Sequence, residues 1–147
     1  MIRISISSQP RLLNIVRAVV KFCAQQAGVA LAESEYLALA IDEAAANVIR
    51  HTYCGSHAEC LAVEIHTFPD RLEFFLEDWG PKVDEKSIRP RALDELRPGG
   101  LGTFFIYSFM DQCGYDPDFT GGNRLKLVKF LTRKGACSNE GSSAKSG

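Results

Sequence analysis

Residues 61–80 read LAVEIHTFPDRLEFFLEDWG. Leu61, Val63 and Ile65 recur at every second position, and so do Leu72, Phe74 and Leu76. A period of two is that of a strand with one buried face. Phe68-Pro69-Asp70 between the two runs is turn chemistry, so the stretch reads as a β-hairpin. Working outward, Arg3–Ser7 alternates Ile4 and Ile6 and gives a short strand. Pro10 suits the first turn of a helix that Gly28 ends. In that helix Leu12, Ile15, Val16, Val19, Phe22 and Cys23 form one apolar stripe against a core. A second helix is expected from about Ser34 to His51, and a third from Leu101 to Met110. Two closing strands are expected around Cys113–Phe119 and from Arg124 to Thr132, joined by Gly121-Gly122-Asn123. The order is βααββ-loop-αββ. Hairpin-connected strands with helices in separate blocks point to an α+β fold, a mostly antiparallel sheet with helices on one face.

Composition agrees with one soluble domain. The chain has 147 residues, 46% hydrophobic and 24% charged, with a formal net charge of -1. A general nucleic-acid binder carries a basic excess, which is absent, so no direct nucleic-acid partner is expected. No apolar run approaches the roughly 18 residues of a membrane span. The opening MIRISISSQPRLLN has no secretion-signal pattern, so a cytoplasmic location is expected, with no membrane partner. The closing GACSNEGSSAKSG has too little apolar surface to offset its chain entropy. Residues 134–147 are therefore expected to be a disordered tail behind a domain of residues 1–133. The five cysteines form no CxxC pair and read as free thiols. His51, Cys54, His57 and Cys60 recur every three residues and are all zinc-ligand types, but Gly55-Ser56 interrupts any helix that would align them. A helix end followed by a loop is the better reading.

Three constellations carry chemistry. The first is LAIDEAAANVIRH, residues 39–51. At about 100° per residue, Leu37, Ile41, Ala44 and Val48 line one side. Glu43, Asn47, Arg50 and His51 fall on a face beside that stripe, where side chains can border a half-buried pocket. Ala40, Ala44 and Ala46 keep its surroundings shallow. On the helix alone, a solvated face with Glu43 in an i,i+4 pair is the simpler reading. The second is Glu77-Asp78-Trp79-Gly80. Asp78 shares the parity of Leu72, Phe74 and Leu76, so it points inward, where a carboxylate needs a donor. A backbone amide would serve, and so would the exocyclic amine of adenine. Guanine, with an oxygen there, would not. Gly80 would let a flat group approach the backbone. The third is Arg97-Pro98-Gly99-Gly100-Leu101-Gly102-Thr103, a glycine-rich turn feeding a helix N-terminus. Such a turn presents N–H groups to an anion, although it lacks Walker and GxGxxG spacing. Lys86, Arg89, Arg91 and Arg97 lie before or within it, on a stretch suited equally to a lid or to a solvated loop.

In this order the segments resemble the nucleotide-binding boxes of the GHKL ATPase superfamily, most closely its anti-sigma factor serine-protein kinase branch. Glu43-Ala44-Ala45-Ala46-Asn47-Val48-Ile49-Arg50-His51 is similar to the N box, and Asp78-Trp79-Gly80-Pro81 to the next box. Gly99–Ile106, followed by Met110-Asp111, resembles the lid-end box and its helix. Gly122-Asn123-Arg124-Leu125 resembles the last strand, less specifically. The resemblance covers residues 1 to about 133 and implies a two-layer α/β sandwich of the Bergerat type. It implies ATP and Mg²⁺ as cofactors. Asn47 would hold the Mg²⁺, and Glu43 would be the general base that orients the attacking hydroxyl. Arg50 would reach the phosphates, and Asp78 would accept the adenine amine with Gly80 making room. Gly100, Leu101, Gly102 and Thr103 would cradle phosphates through main-chain amides. Trp79 departs from the family, where a smaller or polar residue is common. The implied activity is phosphorylation of a serine on an anti-anti-sigma (STAS-type) partner by a homodimer that alternately sequesters a sigma factor. A nucleotide-dependent binding switch without chemistry would use the same boxes. A zinc or thiol domain on His51, Cys54, His57 and Cys60 is the alternative outside the superfamily. A histidine kinase fragment would need further helices to carry a phospho-accepting histidine.

Overall fold

A computed structural model describes residues 1–83 and 101–132. The elements are β1 (Ile2–Ser7), α1 (Leu13–Gln26), α2 (Leu31–Asn47), β2 (Cys60–Thr67), β3 (Arg71–Asp78), α3 (Leu101–Phe109), β4 (Gln112–Tyr115) and β5 (Asn123–Phe130). A short 3₁₀ turn, Pro10–Leu12, precedes α1, and one π-helical turn, Val48–Thr52, extends α2. The five strands form one sheet in the order β1-β2-β3-β5-β4, with every neighbouring pair antiparallel. The hairpin of residues 61–80 supplies its centre. The fold is α+β, as the element order predicts.

Strand parity divides the sheet into two unlike faces. Leu61, Val63, Ile65, Leu72, Phe74, Leu76, Leu125 and Leu127 join one buried cluster with Val16, Val20, Leu37 and Ile41 of the helices. Each such side chain taken from water contributes about 1.5–3 kcal/mol, so the helix layer and the sheet stabilise each other. The opposite face is polar. There Glu77 pairs with Arg3 at 2.8 Å and Arg124 at 3.1 Å, and Glu73 pairs with Arg71 at 2.8 Å and Lys126 at 3.2 Å. The Arg124 guanidinium also lies 4.4 Å from the Phe75 ring centroid. The long cationic side chains cover Glu73 and Glu77, which are buried although they stand on the face away from the helices.

Three expectations need correction. The stripe on α1 is not single: Leu13, Val16, Val20, Cys23 and Ala24 turn to the core, whereas Ile15 is 49% and Phe22 60% exposed. Helical spacing permits two overlapping apolar stripes here, and packing against α2 selects the one that includes Leu13 and Val20. Helix α2 begins at Leu31 rather than Ser34. Ser34 has the chemistry of an N-cap, but it lies inside the first turn, where its hydroxyl donates to the Leu31 carbonyl at 2.7 Å and accepts from Gln25 Nε2 at 3.2 Å. Finally, β4 stops at Tyr115 rather than reaching Phe119, because residues 116–122 form the connection to β5. The expected tail, residues 134–147, lies outside the described residues.

Candidate functional site

The final turn of α2 and the π turn after it gather the first group. Ile41, Ala44 and Val48 anchor the helix in the core, and Ala40 is buried there as well. Glu43, Asn47 and Arg50 then share the neighbouring face, as helical geometry requires. Arg50 Nη2 donates to Glu43 Oε2 at 3.2 Å and to Asn47 Oδ1 at 3.0 Å. A carboxylate oxygen and an amide oxygen thus converge on one cationic group. His51, the fourth residue expected on this face, is exposed. The chain wraps further than an α-helix would, since the Tyr53 amide donates to the Val48 carbonyl at 2.9 Å, five residues back. Single π turns of this kind are frequent at functional sites.

The second group closes the end of β3. Asp78 is 2% exposed and faces the core side of the sheet. Its Oδ1 accepts from the Gly80 amide at 3.0 Å and from Asn123 Nδ2 at 2.9 Å. Among the described residues both donors meet Oδ1, which leaves Oδ2 for a further donor. Burial pushes the Asp78 carboxyl above its ordinary value, and the donors from Asn123 and Gly80 work against that rise. Tyr115 of β4 is pushed up to about 12 by burial and by the Asp78 charge.

The two groups are tied together through Tyr53. Its hydroxyl donates to the Cys60 carbonyl and accepts from the Trp79 amide at 3.0 Å. Thr52 lies against Gly80: a Cβ added at Gly80 would stand 2.2 Å from Thr52 Cγ2 and 3.4 Å from Tyr53 Cε1. Gly80 therefore has a packing reason of its own, separate from any flat ligand. Gly122 is tighter still, because a Cβ there would meet the Asp78 carbonyl oxygen at 1.9 Å and Trp79 Cα at 2.7 Å. The indole of Trp79 is half exposed.

Sequence reasoning did not single out Tyr53 or Asn123 as members of the site. Asn123 had a signal: it opens the strand that pairs with β3, and antiparallel register sets it directly opposite Asp78. Tyr53 had none, because its hydroxyl meets backbone groups, of Cys60 and Trp79, rather than a side chain.

The third group is described in part. Leu101, Gly102 and Thr103 form the first turn of α3, where backbone N–H groups have no partner within the helix. Helix α3 packs along α2, with Tyr36 and Phe109 stacked at 4.6 Å. Gly100 and the basic residues Lys86, Arg89, Arg91 and Arg97 lie outside the described residues. Among the described residues no group of three or more His, Cys, Asp or Glu side chains is placed to hold a metal ion. His51, Cys54, His57 and Cys60 are all described and do not form such a group; Cys54 sits at φ 50°, where the chain turns away from the helix.

Asn47 offers an uncharged amide oxygen beside a carboxylate, the oxygen chemistry that a hard divalent cation takes. Both oxygens now accept from Arg50; as hard oxygen donors, they match Mg²⁺ in chemical type once that guanidinium moves.

Comparison with known proteins identifies the family. Residues 6–129 match the model of the histidine kinase-like ATPase domain. The chain is 28% identical to the serine-protein kinase RsbW of Bacillus pumilus, over 91% of this chain and 88% of that protein. It is 30% identical to the serine-protein kinase RsbW of Listeria innocua, over 90% and 88%. Among solved structures it resembles the histidine kinase domain of the Erythrobacter litoralis EL346 blue-light activated histidine kinase. The TM-score is 0.53 at 13% identity, covering 84% of this chain and 60% of that one, which speaks to the fold alone. By fold, by the order of its boxes and by these matches, the chain belongs to the histidine kinase-like ATPase domain family, on the branch of the serine-protein kinases.

Proposed function

We propose that the chain is an anti-sigma factor serine kinase. It binds Mg-ATP, phosphorylates a serine on an anti-anti-sigma partner of the STAS type, and alternately sequesters a sigma factor. The observation that carries this reading is the convergence of Glu43 Oε2 and Asn47 Oδ1 from one helix on a single guanidinium; the inward Asp78, whose Oδ2 has no donor among the described residues, supports it.

Each residue has a part. Asp78 Oδ2 accepts the adenine amine, while its other oxygen stays engaged within the protein. Leu101, Gly102 and Thr103, with Gly100 before them, donate main-chain N–H groups to the phosphates, favoured by the positive end of α3. Arg50 exchanges its present acceptors for phosphate oxygens. Asn47 holds the Mg²⁺, which when bound neutralises charge on the phosphates. Glu43 accepts the proton of the serine hydroxyl as its oxygen bonds to the γ-phosphorus. The bond from that phosphorus to the bridging oxygen breaks, and ADP leaves. Phosphoryl transfer asks little more of a protein than position and charge neutralisation, so this set is sufficient.

Residues 1–133 form the kinase unit in this reading, with residues 134–147 as a tail. The protein works as a homodimer in the cytoplasm, without direct contact to nucleic acid or membrane. Among the described residues no helix is long and apolar enough to cross a membrane.

The test is to incubate the protein with Mg-ATP and an anti-anti-sigma partner and to look for a phosphate mass increment on the partner. Glu43→Ala should abolish transfer while ATP still binds, and Asn47→Ala should weaken Mg-ATP binding. Undiminished transfer by Glu43→Ala would remove Glu43 from the mechanism. Binding of ATP with no transfer by the unmodified chain would favour the switch without chemistry.

A further inference from the structure

Asn123 is 3% exposed, at the first position of β5 and directly across the sheet from Asp78. A buried amide is costly unless every polar atom is engaged, and here each one is. Nδ2 donates to Asp78 Oδ1 at 2.9 Å and to the Pro81 carbonyl at 2.8 Å, and Oδ1 accepts from the Val83 amide at 2.8 Å. Flipping the amide would set its oxygen against both the carboxylate and the Pro81 carbonyl, so its orientation is determined.

The approach is as close as the backbone allows. Gly122 has no room for a Cβ against the Asp78 carbonyl, so glycine there is what lets β5 begin within reach. The other donor to Asp78, the Gly80 amide, is local. It is a side-chain-to-backbone turn two residues along, which travels with Asp78 itself. Asn123 comes from a different strand and refers the carboxylate to the rigid sheet.

We infer that Asn123 is the positioning residue that aims Asp78: by occupying Oδ1 from a fixed strand it turns Oδ2 toward the base, and so sets selectivity for a purine with an exocyclic amine. The inference rests on the reading of Asp78 as the adenine acceptor. It assigns Asn123 a part in base selection in addition to holding the turn of residues 78–83.

The experiment uses the full chain and two nucleotides, ATP and purine riboside triphosphate, which lacks only the exocyclic amine. Calorimetry with Mg²⁺ present gives both affinities for the unmodified protein, for Asn123→Asp and for Asn123→Ser, with a thermal melt of each. Asn123→Asp keeps the shape but turns the donor into an acceptor; Asn123→Ser removes the amide without adding charge. The unmodified protein should prefer ATP by about tenfold or more, the worth of one hydrogen bond to a charged group. In the variants that preference should fall to within about threefold of unity, with affinity for purine riboside triphosphate changed by less than about threefold. Retention of the full preference, an equal loss for both nucleotides, or failure of both variants to fold would overturn the inference and leave Asn123 a structural residue. Absence of a preference in the unmodified protein would instead overturn the adenine reading of Asp78, and the inference with it.

Discussion

Asp78→Asn separates recognition from folding. Among the described residues the donors to Asp78, Gly80 at 3.0 Å and Asn123 at 2.9 Å, both meet Oδ1, an atom that asparagine retains. The substitution converts Oδ2, the remaining acceptor, into an N–H donor that faces the donating adenine amine. A hydrogen bond to a charged group is worth about 1.5–3 kcal/mol. ATP affinity should therefore fall by about 10- to 150-fold. Stability should move the other way. Burial raises the Asp78 carboxyl above its ordinary value of 3.8. A carboxyl with a raised folded-state value takes stability away as the pH climbs from its unfolded to its folded value, and the deficit persists at neutral pH. Removing the charge should leave the melting temperature equal or higher. Calorimetry with Mg-ATP and a thermal melt on the same sample make the two measurements. An ATP affinity within about threefold of the unmodified protein, with the fold intact, would refute the role given to Asp78. A large drop in melting temperature would refute the statement that the charge is a burden to the fold.

Other substitutions test the frame around that carboxylate. Gly122→Ala forces a Cβ to 1.9 Å from a backbone oxygen, so it should cost about 3 kcal/mol or more in denaturant titration; a loss under about 1 kcal/mol would contradict the close approach of β5. Gly80→Ala collides with Thr52 Cγ2 at 2.2 Å and should cost about 1–3 kcal/mol. Adding Thr52→Ser, which deletes that methyl, should recover much of the loss, and no recovery would mean that the glycine is not there for Thr52. The Arg71 guanidinium holds the Glu73 carboxyl below its ordinary value of 4.5. Burial pushes Glu64 upward, but the hydrogen bonds from Arg3 and His66 outweigh it and hold that carboxyl low as well. Both depressed groups contribute stability that is full above the unfolded value and is lost as the pH falls through the lower folded values. Denaturant midpoints should drop in that acid range, less steeply in Glu73→Gln; an unchanged slope would show that Glu73 is not a source of the loss.

Period-two patterning was the most informative part of the sequence. Strand parity alone carried Asp78 to the inward face, because alternation on a strand does not depend on what packs against it. Helical periodicity likewise grouped Glu43, Asn47 and Arg50. It was less decisive on α1, where apolar residues are dense enough to offer two stripes and only the neighbouring helix chooses between them. The start of α2 was legible only to within a turn: Ser34 lies inside the first turn, and a hydroxyl can cap a helix or bond back into its own turn. Gly80 was legible as a glycine that something approaches closely, and Thr52 is one such neighbour, brought there by a π turn that no local pattern announces. Asn123 and Tyr53 belong to the site through strand register and long-range backbone contacts, which single-residue chemistry does not encode.

The most direct measurement is a crystal structure with Mg²⁺ and a non-hydrolysable ATP analogue. The base amine should lie on Asp78 Oδ2, the cation on Asn47 Oδ1, and the phosphates at the first turn of α3, with Glu43 facing the γ-phosphate. A nucleotide bound elsewhere, or a base that leaves Asp78 without a contact, would contradict the account at its centre.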